Sequence, residues 1–325
     1  MGQKGMCKFG NDYAVGLRWL RHLGYVQVST NPTLAAKAYD DFPELWEDFK
    51  EQAKEHTEWL ENPEEYNDEI AVEGTIVALL NNLRVFAPIA YMSDWEDGRV
   101  SYQLNPNVSD SLEGSLRDAL RVHTRCRELM ETWNEYLHWG FETREETGRP
   151  DVVFKVAGWA PVSLEITKEL TSLGIGSNDT VVYSVPQETL LITQKLKGMA
   201  TALERGIQPT QTYETNMGGR LERHLRDVLA EEVLTEALEE FDDKEEVVHD
   251  LAEELGCMDD IDDPLLSLGE KIKRVTTSSS FKKNLGFLTD DPFVDVLTEA
   301  EMFGESKEEN LEAMEERENV TRKSG

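Results

Sequence analysis

Short runs of β-branched and aromatic residues alternate with longer amphipathic segments along the chain. The short runs predict strands because such side chains pack well on a pleated sheet, and the longer segments show the spacing of helices. The predicted strands are residues 7–12, 25–30, 99–105, 152–157, 178–184, 207–213, 274–280 and 293–297. The predicted helices are residues 14–22, 33–60, 109–138, 161–173, 186–205 and 221–241.

A strand followed by a helix, repeated about eight times, predicts an α/β fold with a parallel sheet. Eight units favour a closed (β/α)8 TIM barrel over an open doubly wound sheet. An open sheet of that kind usually carries a glycine-rich phosphate loop, and neither GxGxxG nor GxxxxGK is present. We therefore expect one barrel domain over residues 1–303, with an extended helical and acidic insertion at 221–273. Residues 304–325 are expected to form a charged C-terminal helix or tail.

The predicted strands have one polar face and one apolar face, because successive side chains of a strand point to opposite sides. The polar set includes Gln27, Ser29, Asn31, Ser101, Gln103, Asn105, Lys155, Asn178, Thr180, Ser184, Gln208, Thr210 and Thr212. In a barrel this face would point inward, and its carboxyl end would form the active site. The alternative is a sheet with one face in water, as in antiparallel folds.

The net charge of -32, from 65 acidic and 33 basic side chains, limits the partners of the chain. Such a surface repels phosphate backbones and anionic lipid, so we expect neither nucleic-acid nor membrane binding. The acidic residues are spread along the chain, and salt would screen their mutual repulsion. This pattern predicts a halophilic protein from a salt-rich cytoplasm, and the alternative is an ordinary acidic protein.

The cysteines and the apolar segments indicate the compartment. Cys7, Cys126 and Cys257 are far apart and form no CxxC, which predicts a reducing environment without a disulfide framework. The N-terminus has no apolar signal core, and the most apolar stretch, residues 76–91, is interrupted by asparagine and arginine. We therefore expect no bilayer-spanning segment and a cytoplasmic location.

Lys155 is the sharpest chemical signal, because it lies inside the apolar run of residues 152–157. Lysine is almost never fully buried unless another group pairs with it or the protein uses it. Burial disfavours the ammonium form, and a neutral amine can attack a carbonyl group and form a Schiff base. The iminium then accepts electrons while a neighbouring C–C bond breaks or forms. The alternative is a lysine that reaches the surface or pairs with an acid.

Three further features are candidates for catalysis or anion binding. Asp12 ends the first predicted strand and could act as a general base, or it could cap a helix. The segment Gly218-Gly219-Arg220 opens a helix after the sixth predicted strand and suits a phosphate, or it is a loop with a surface arginine. Lys282, after a run of three serines, is a second anion candidate or a surface residue.

Metal and cofactor chemistry find little support in the sequence. The six histidines form neither an HExxH motif nor a Cys/His cluster, and no GxSxG elbow occurs. The acidic pairs at 242–243 and 259–263 lack the order of an EF-hand and are interpreted as solvated acid. We therefore expect no metal and no cofactor.

Five segments resemble, in order, segments of the transaldolase family. They are STNPT at residues 29–33, SYQLNP at 101–106, FKV at 154–156, GIGSNDTVVYS at 174–184 and SFK at 280–282. The likeness covers about residues 8–220 well. It implies a metal-independent class I aldolase mechanism on a sugar phosphate, within carbohydrate metabolism of the pentose phosphate type.

The resemblance also implies catalytic roles. Lys155 would attack the keto group of the sugar phosphate, and Asp12 would take the proton from the hydroxyl whose oxygen becomes the new carbonyl. Thr180 would hold the catalytic water. Transaldolases carry glutamate at the position of Gln103, whereas the fructose-6-phosphate aldolase branch carries glutamine. Since glutamine cannot ionise, Gln103 can only position the water, and both transfer and cleavage stay open.

The resemblance further implies how the substrate is bound. Asn31 and Asn178 would bind the dihydroxyacetone unit with help from Ser184, and Arg220 would bind the phosphate, with Lys282 as the weaker candidate. Two alternatives stay open: a lysine-dependent aldolase for another substrate, and a non-catalytic barrel that acts as a binding protein. A homo-oligomer also stays open.

Overall fold

The computed structural model describes residues 7–12, 20–137, 150–278 and 288–324. The chain divides into two units, Met1–Asn216 and Met217–Gly325. The strands found among the described residues belong to the first unit, and the described part of the second unit contains helices. All three cysteines lie among the described residues and are free thiols, as the sequence predicts.

The first unit contains a sheet of six parallel strands that neighbour one another in chain order. The strands are β1 (Phe9–Asn11), β2 (Tyr25–Ser29), β3 (Arg99–Gln103), β4 (Val152–Ala157), β5 (Gly176–Val182) and β6 (Tyr213–Asn216). Every neighbouring pair is parallel. The predicted parallel α/β sheet is therefore confirmed, and its first five strands overlap the predicted ones.

Seven helices accompany the sheet in the described part of the first unit. They are α1 (Pro32–Asp41), α2 (Glu44–Ala53), α3 (Thr57–Glu61), α4 (Asn67–Met92), α5 (Leu112–Leu137), α6 (Ser163–Ser172) and α7 (Val185–Glu204). The single helix predicted over residues 33–60 is wrong. It is divided into α1, α2 and α3, because Pro43 lacks the N–H that would continue the first of them. The helix predicted over residues 14–22 falls largely outside the described residues.

The two faces of the sheet differ as the alternation of side chains predicts. The apolar parity packs with α4 and α5 in one core, which includes Val28, Val100, Tyr102, Leu104, Val152, Phe154 and Val156. The opposite parity carries the polar side chains and Lys155. Burying apolar side chains on one face stabilises the sheet and leaves the other face free for chemistry.

The polar face is concave. Asn178 on β5 donates from Nδ2 to Ser101 Oγ on β3 at 3.2 Å, although β4 lies between these strands. Strands two positions apart in a flat sheet are separated by about 9.5 Å, which two short side chains cannot bridge. The sheet is therefore curled, as in half of a barrel, with the polar side chains on its inner surface.

Helix α4 corrects the expectation that no segment is long and apolar enough to span a bilayer. Among the described helices it alone meets that requirement by length and composition. Its most apolar stretch is mostly buried inside the first unit. Asn82 and Phe86 are fully buried, and the Arg84 guanidinium lies 5.6 Å from the centre of the Trp133 ring. A helix in the core of a folded domain meets the same requirement, so membrane insertion does not follow.

The second unit contains five helices in its described part and has a hydrophobic core of its own. The helices are α8 (Gly218–Ala237), α9 (Lys244–Leu255), α10 (Leu268–Thr277), α11 (Phe293–Glu299) and α12 (Lys307–Ser324). Leu234, Leu251, Val275 and Phe293 are among the buried residues that form this core.

The seventh and eighth predicted strands are wrong, because their described residues lie mainly in helices. Residues 274–277 belong to α10, and residues 293–297 belong to α11. Ser267 and Glu270 form a capping box at the start of α10, and Ile272, Val275 and Thr276 line its buried face. The cap and the helical spacing therefore outweigh the strand preference of valine and threonine. The sheet of the described residues accordingly has six strands, not eight.

The sixth strand is displaced from its predicted position. Residues 207–212 are irregular, and β6 begins at Tyr213. Pro209 lacks a backbone donor for a sheet ladder, which accounts for the late start. As a result of this shift, Tyr213 and Thr215 lie on the polar face in place of Gln208, Thr210 and Thr212.

A buried ion cluster joins α7 to β5 and β6 on the helix side of the sheet. The Lys195 Nζ lies 3.0 Å from Asp179 Oδ2 and 2.7 Å from Glu214 Oε1. It also donates to the Tyr213 carbonyl oxygen at 2.5 Å, and Thr167 donates to Asp179 Oδ1 at 2.7 Å. Burial raises the pKa of both carboxyls above its usual value, and the nearby lysine offsets only part of this increase.

We expect Lys195→Met to destabilise the first unit, because Asp179 and Glu214 would lose their buried cation and would have either to stay charged without it or to take up protons. Breaking a buried pair in this way typically costs about 3 to 5 kcal/mol. The folded variant would hold protons that the unfolded chain releases, so its free energy of unfolding should fall as the pH rises. Denaturant titrations at about pH 5 and about pH 8 should therefore show the larger loss at the higher pH.

The matched control is Lys197→Met, which removes an exposed lysine from the same helix. It should leave the free energy of unfolding nearly unchanged at both pH values. An equal loss for both variants, or a Lys195→Met loss that grows toward acid pH, would contradict the prediction.

Candidate active site

Lys155 lies in β4 on the concave face, and only 7% of its surface is exposed. Its Nζ donates to Ser29 Oγ at 3.2 Å and to the Thr30 carbonyl oxygen at 3.5 Å. Both acceptors lie at the carboxyl end of β2 and are neutral groups. These contacts hold the amine at the carboxyl end of the sheet.

Gln103, Lys155 and Asn178 form a row across three neighbouring strands. In the sheet register Gln103 on β3 is paired with Lys155, and Lys155 is paired with Asn178 on β5. Side chains at paired positions of neighbouring strands lie on the same face. The structure therefore brings three of the predicted site residues together.

The Asn178 side chain is held by hydrogen bonds at both ends of its amide. Its Oδ1 accepts from Thr215 Oγ1 on β6 at 2.6 Å, and its Nδ2 donates to Ser101 Oγ at 3.2 Å. The donor and the acceptor together define which way the amide points. The second Nδ2 hydrogen has no acceptor among the described residues, and it could bind a ligand on the concave face.

Thr180 lies at the carboxyl end of β5, where a single side chain braces the backbone. Gln187 donates from Nε2 to the carbonyl oxygens of Gly158 (2.7 Å) and Val181 (3.2 Å), and its Oε1 accepts from the Tyr183 N–H at 3.0 Å. Val181 has a φ of 60°, which is unusual for a β-branched residue. Gln187 thus stabilises the strained segment that presents Thr180.

Asp12 and Asn31 lie beyond the carboxyl ends of strands β1 and β2. Asp12 follows β1 and is exposed, and its neighbour Asn11 is paired with Val28, which places Asp12 level with Ser29. Asn31 Oδ1 accepts from the Leu34 N–H at 3.0 Å and caps α1, and its amide nitrogen can donate to a substrate.

Ser184 is exposed and caps α7, where its Oγ accepts from the Gln187 N–H at 3.4 Å. The roles of Asp12, Asn31 and Ser184 in binding or catalysis stay predictions.

The two predicted phosphate contacts are not part of the described first unit. Arg220 is an exposed residue in the first turn of α8, in the second unit. Lys282 lies outside the described residues. Their assignment to a phosphate therefore stays a prediction.

Sequence reasoning missed several residues of this site. Ser29 and Ser101 belong to the predicted polar face, and their parity with Gln103 was the signal that could have identified them. Thr215 could not be found, because the sixth strand was expected to end before it. Gln187 gave no signal, since nothing in a helical pattern shows that a side chain turns back to brace a loop.

One group of possible metal ligands occurs among the described residues. His249, Asp250 and Glu253 lie on α9 in the second unit with ligand atoms within 4.8 Å of one another. All three are exposed, and acids on neighbouring helix positions commonly lie in water without an ion. The group gives no reason to assign a metal.

The structure places a buried lysine on the concave face of a curled parallel sheet in an α/β fold. Residues 13–203, more than half of the chain, match the family model described as transaldolase/fructose-6-phosphate aldolase. The chain belongs to this family. No curated protein matches it significantly. The matched segment contains the row around Lys155 and ends within α7, before β6 and the second unit.

We expect Thr215→Val to reduce turnover of a ketose phosphate about tenfold, because a hydrogen bond between neutral groups contributes about 1 kcal/mol. The valine would leave Asn178 Oδ1 without its donor and release the amide. Thr215→Ser keeps the hydroxyl and should retain most of the activity. Initial rates of the three proteins test the prediction, and equal loss in the serine and valine variants would contradict it.

Proposed function

We propose that this protein is a class I aldolase or transaldolase that transfers or releases a dihydroxyacetone unit from a ketose phosphate. Lys155 supplies the amine of the Schiff base. The observation that carries the proposal is the buried position of this lysine on the polar concave face, in a chain of this family. The reaction belongs to carbohydrate metabolism of the pentose phosphate type and uses no metal.

The first step is attack of the Lys155 nitrogen on the keto carbon of the substrate. A C–N bond forms, water leaves with the former carbonyl oxygen, and the product is an iminium. Ser29 and the Thr30 carbonyl hold the amine where this bond forms. Asn178 donates its second Nδ2 hydrogen to a hydroxyl of the dihydroxyacetone unit, and the amide of Asn31 and the hydroxyl of Ser184 contact the same unit.

The second step breaks a C–C bond. Asp12 takes the proton from the hydroxyl on the carbon beyond the bond, and that oxygen becomes the carbonyl of the leaving aldehyde. The electron pair of the broken bond moves to the iminium and forms an enamine. The assignment of the aldehyde phosphate to Arg220, with Lys282 as the weaker candidate, stays an expectation from the family resemblance.

The last step decides between cleavage and transfer. The enamine is protonated and the resulting iminium is hydrolysed, which releases dihydroxyacetone and the free amine. Alternatively, the enamine attacks an acceptor aldehyde and forms a new C–C bond, the aldehyde oxygen takes up a proton, and hydrolysis of the new iminium releases the product ketose and the free amine. Gln103 and Thr180 position the water that these steps use. Since Gln103 has no ionisable group, it positions this water without exchanging protons with it.

Turnover of fructose 6-phosphate, with and without an acceptor aldehyde, tests the proposal. We expect Lys155→Met to lose activity by roughly a thousandfold or more, because the covalent route requires the amine. Lys54→Met removes an exposed lysine that directly follows α2 and should keep the wild-type rate. A Lys155→Met protein with near wild-type activity would refute the Schiff-base mechanism.

Inorganic phosphate separates this proposal from a second candidate, a lysine-dependent aldolase for a substrate without phosphate. The second candidate is favoured by the position of Arg220 and Lys282 beyond the family match. If a phosphate site exists, inorganic phosphate should compete with the substrate. Lack of competition, together with full dependence on Lys155, would favour the second candidate.

A further inference from the structure

Two aromatic side chains are exposed where neighbouring strands of the sheet end. Trp159 is the second residue after β4 and is 60% exposed, and Tyr183 directly follows β5 and is 38% exposed. Aromatic side chains usually bury most of their ring, because the ring carries a large apolar area. Since β4 carries Lys155 and β5 carries Asn178, both rings lie at the carboxyl rim of the candidate active site.

Hydrogen bonds join the two loops that carry these rings. The Gly158 N–H donates to the Thr180 carbonyl oxygen at 2.7 Å, and Gln187 Nε2 donates to the Gly158 carbonyl oxygen at 2.7 Å. The Oε1 of the same glutamine accepts from the Tyr183 N–H at 3.0 Å. One side chain therefore connects the residue before Trp159 with the backbone of Tyr183, and it fixes the two loops relative to each other.

Trp159 is close enough to Lys155 to contact the far half of a bound ketose. It lies four residues beyond the lysine, so their Cα atoms are at most about 14 Å apart. An extended lysine side chain and an attached six-carbon ketose together span about 12 Å, from bonds of about 1.5 Å. Gly158 faces the helix side, because an added Cβ there would lie 3.3 Å from Leu191 Cδ1 on α7. Trp159 follows at the point where the chain turns over the rim.

The charges at this rim indicate an uncharged ligand. The described residues that follow β1 to β5 at the carboxyl edge are 12, 30–31, 104–111, 158–162 and 183–184, and none of them is lysine or arginine. The charged residues among them are Asp12 and Asp110. Aromatic rings beside acids do not favour a phosphate. They suit a carbon chain, whose C–H groups pack against a ring while its hydroxyls stay in water.

We propose that Trp159 and Tyr183 form an aromatic rim that binds the carbon chain of the aldehyde half of the substrate. The inference rests on the proposed function, in which Lys155 holds the dihydroxyacetone half. The rim extends the activity to uncharged aldehydes that carry an apolar group. The enamine electron pair forms the C–C bond to the aldehyde carbon, the aldehyde oxygen takes up a proton, and hydrolysis of the iminium releases the ketose and the amine. Trp159 takes no part in these bond changes and determines specificity.

Aldol addition of dihydroxyacetone to two aldehydes, phenylacetaldehyde and glycolaldehyde, tests the proposal. We expect the wild-type protein to have the higher kcat/KM for phenylacetaldehyde, which carries an apolar ring. Trp159→Ala should lower this kcat/KM about tenfold or more by raising KM, because the contact area of the ring is lost. The kcat/KM for glycolaldehyde should change less than about threefold. Trp159→Phe keeps an aromatic ring and should retain most of the preference, and Tyr183→Ala tests the other half of the rim.

Trp46→Ala is the matched control, since Trp46 is 49% exposed on α2. It should leave both kinetic constants unchanged. Borohydride trapping of dihydroxyacetone on Lys155 needs no aldehyde, so wild type and Trp159→Ala should be labelled equally. A wild-type protein that traps nothing would refute the Schiff-base function, and this inference with it. Intact trapping without a preference for phenylacetaldehyde, or with an equal fall for both aldehydes in Trp159→Ala, would overturn the aromatic rim alone.

Discussion

The account depends on the position of one amine. Lys155 Nζ lies on the concave face of a parallel sheet, buried and in contact with Ser29 Oγ and the Thr30 carbonyl oxygen. These two acceptors orient the amine on the concave face. The contact between Lys155 on β4 and Ser29 on β2 requires a curved sheet, because β3 lies between these two strands.

The other features of the first unit support the surroundings of this amine. Thr215 and Ser101 orient Asn178, and Gln187 braces the strained end of β5 that presents Thr180. On the helix side, Lys195 joins α7 to β5 and β6 through Asp179 and Glu214. Strand β5 therefore carries polar contacts on both faces, through Asn178 on the concave face and Asp179 on the helix side, and these contacts stabilise its register. A site assembled from several strands requires such support, since small displacements would misplace the reacting atoms.

The first five strands and the polar face could be predicted because alternation along a strand is a local property. Lys155 inside an apolar run was visible for the same reason. The seventh and eighth strands could not be predicted correctly, because valine and threonine in α10 prefer strands, while the cap at Ser267 and the buried helical spacing decide the outcome. Thr215 was missed because its role depends on the register of β6, which begins after Pro209. Gln187 acts through a long side chain that no periodicity reveals.

Reduction with borohydride in the presence of dihydroxyacetone or fructose 6-phosphate tests the central claim most directly. An imine on Lys155 would be converted into a stable secondary amine, which peptide mass spectrometry locates. The account predicts that the added mass is found on the peptide that contains Lys155 and depends on the ketose. A protein whose Lys155 remains unmodified, while exposed lysines carry whatever label appears, would contradict it.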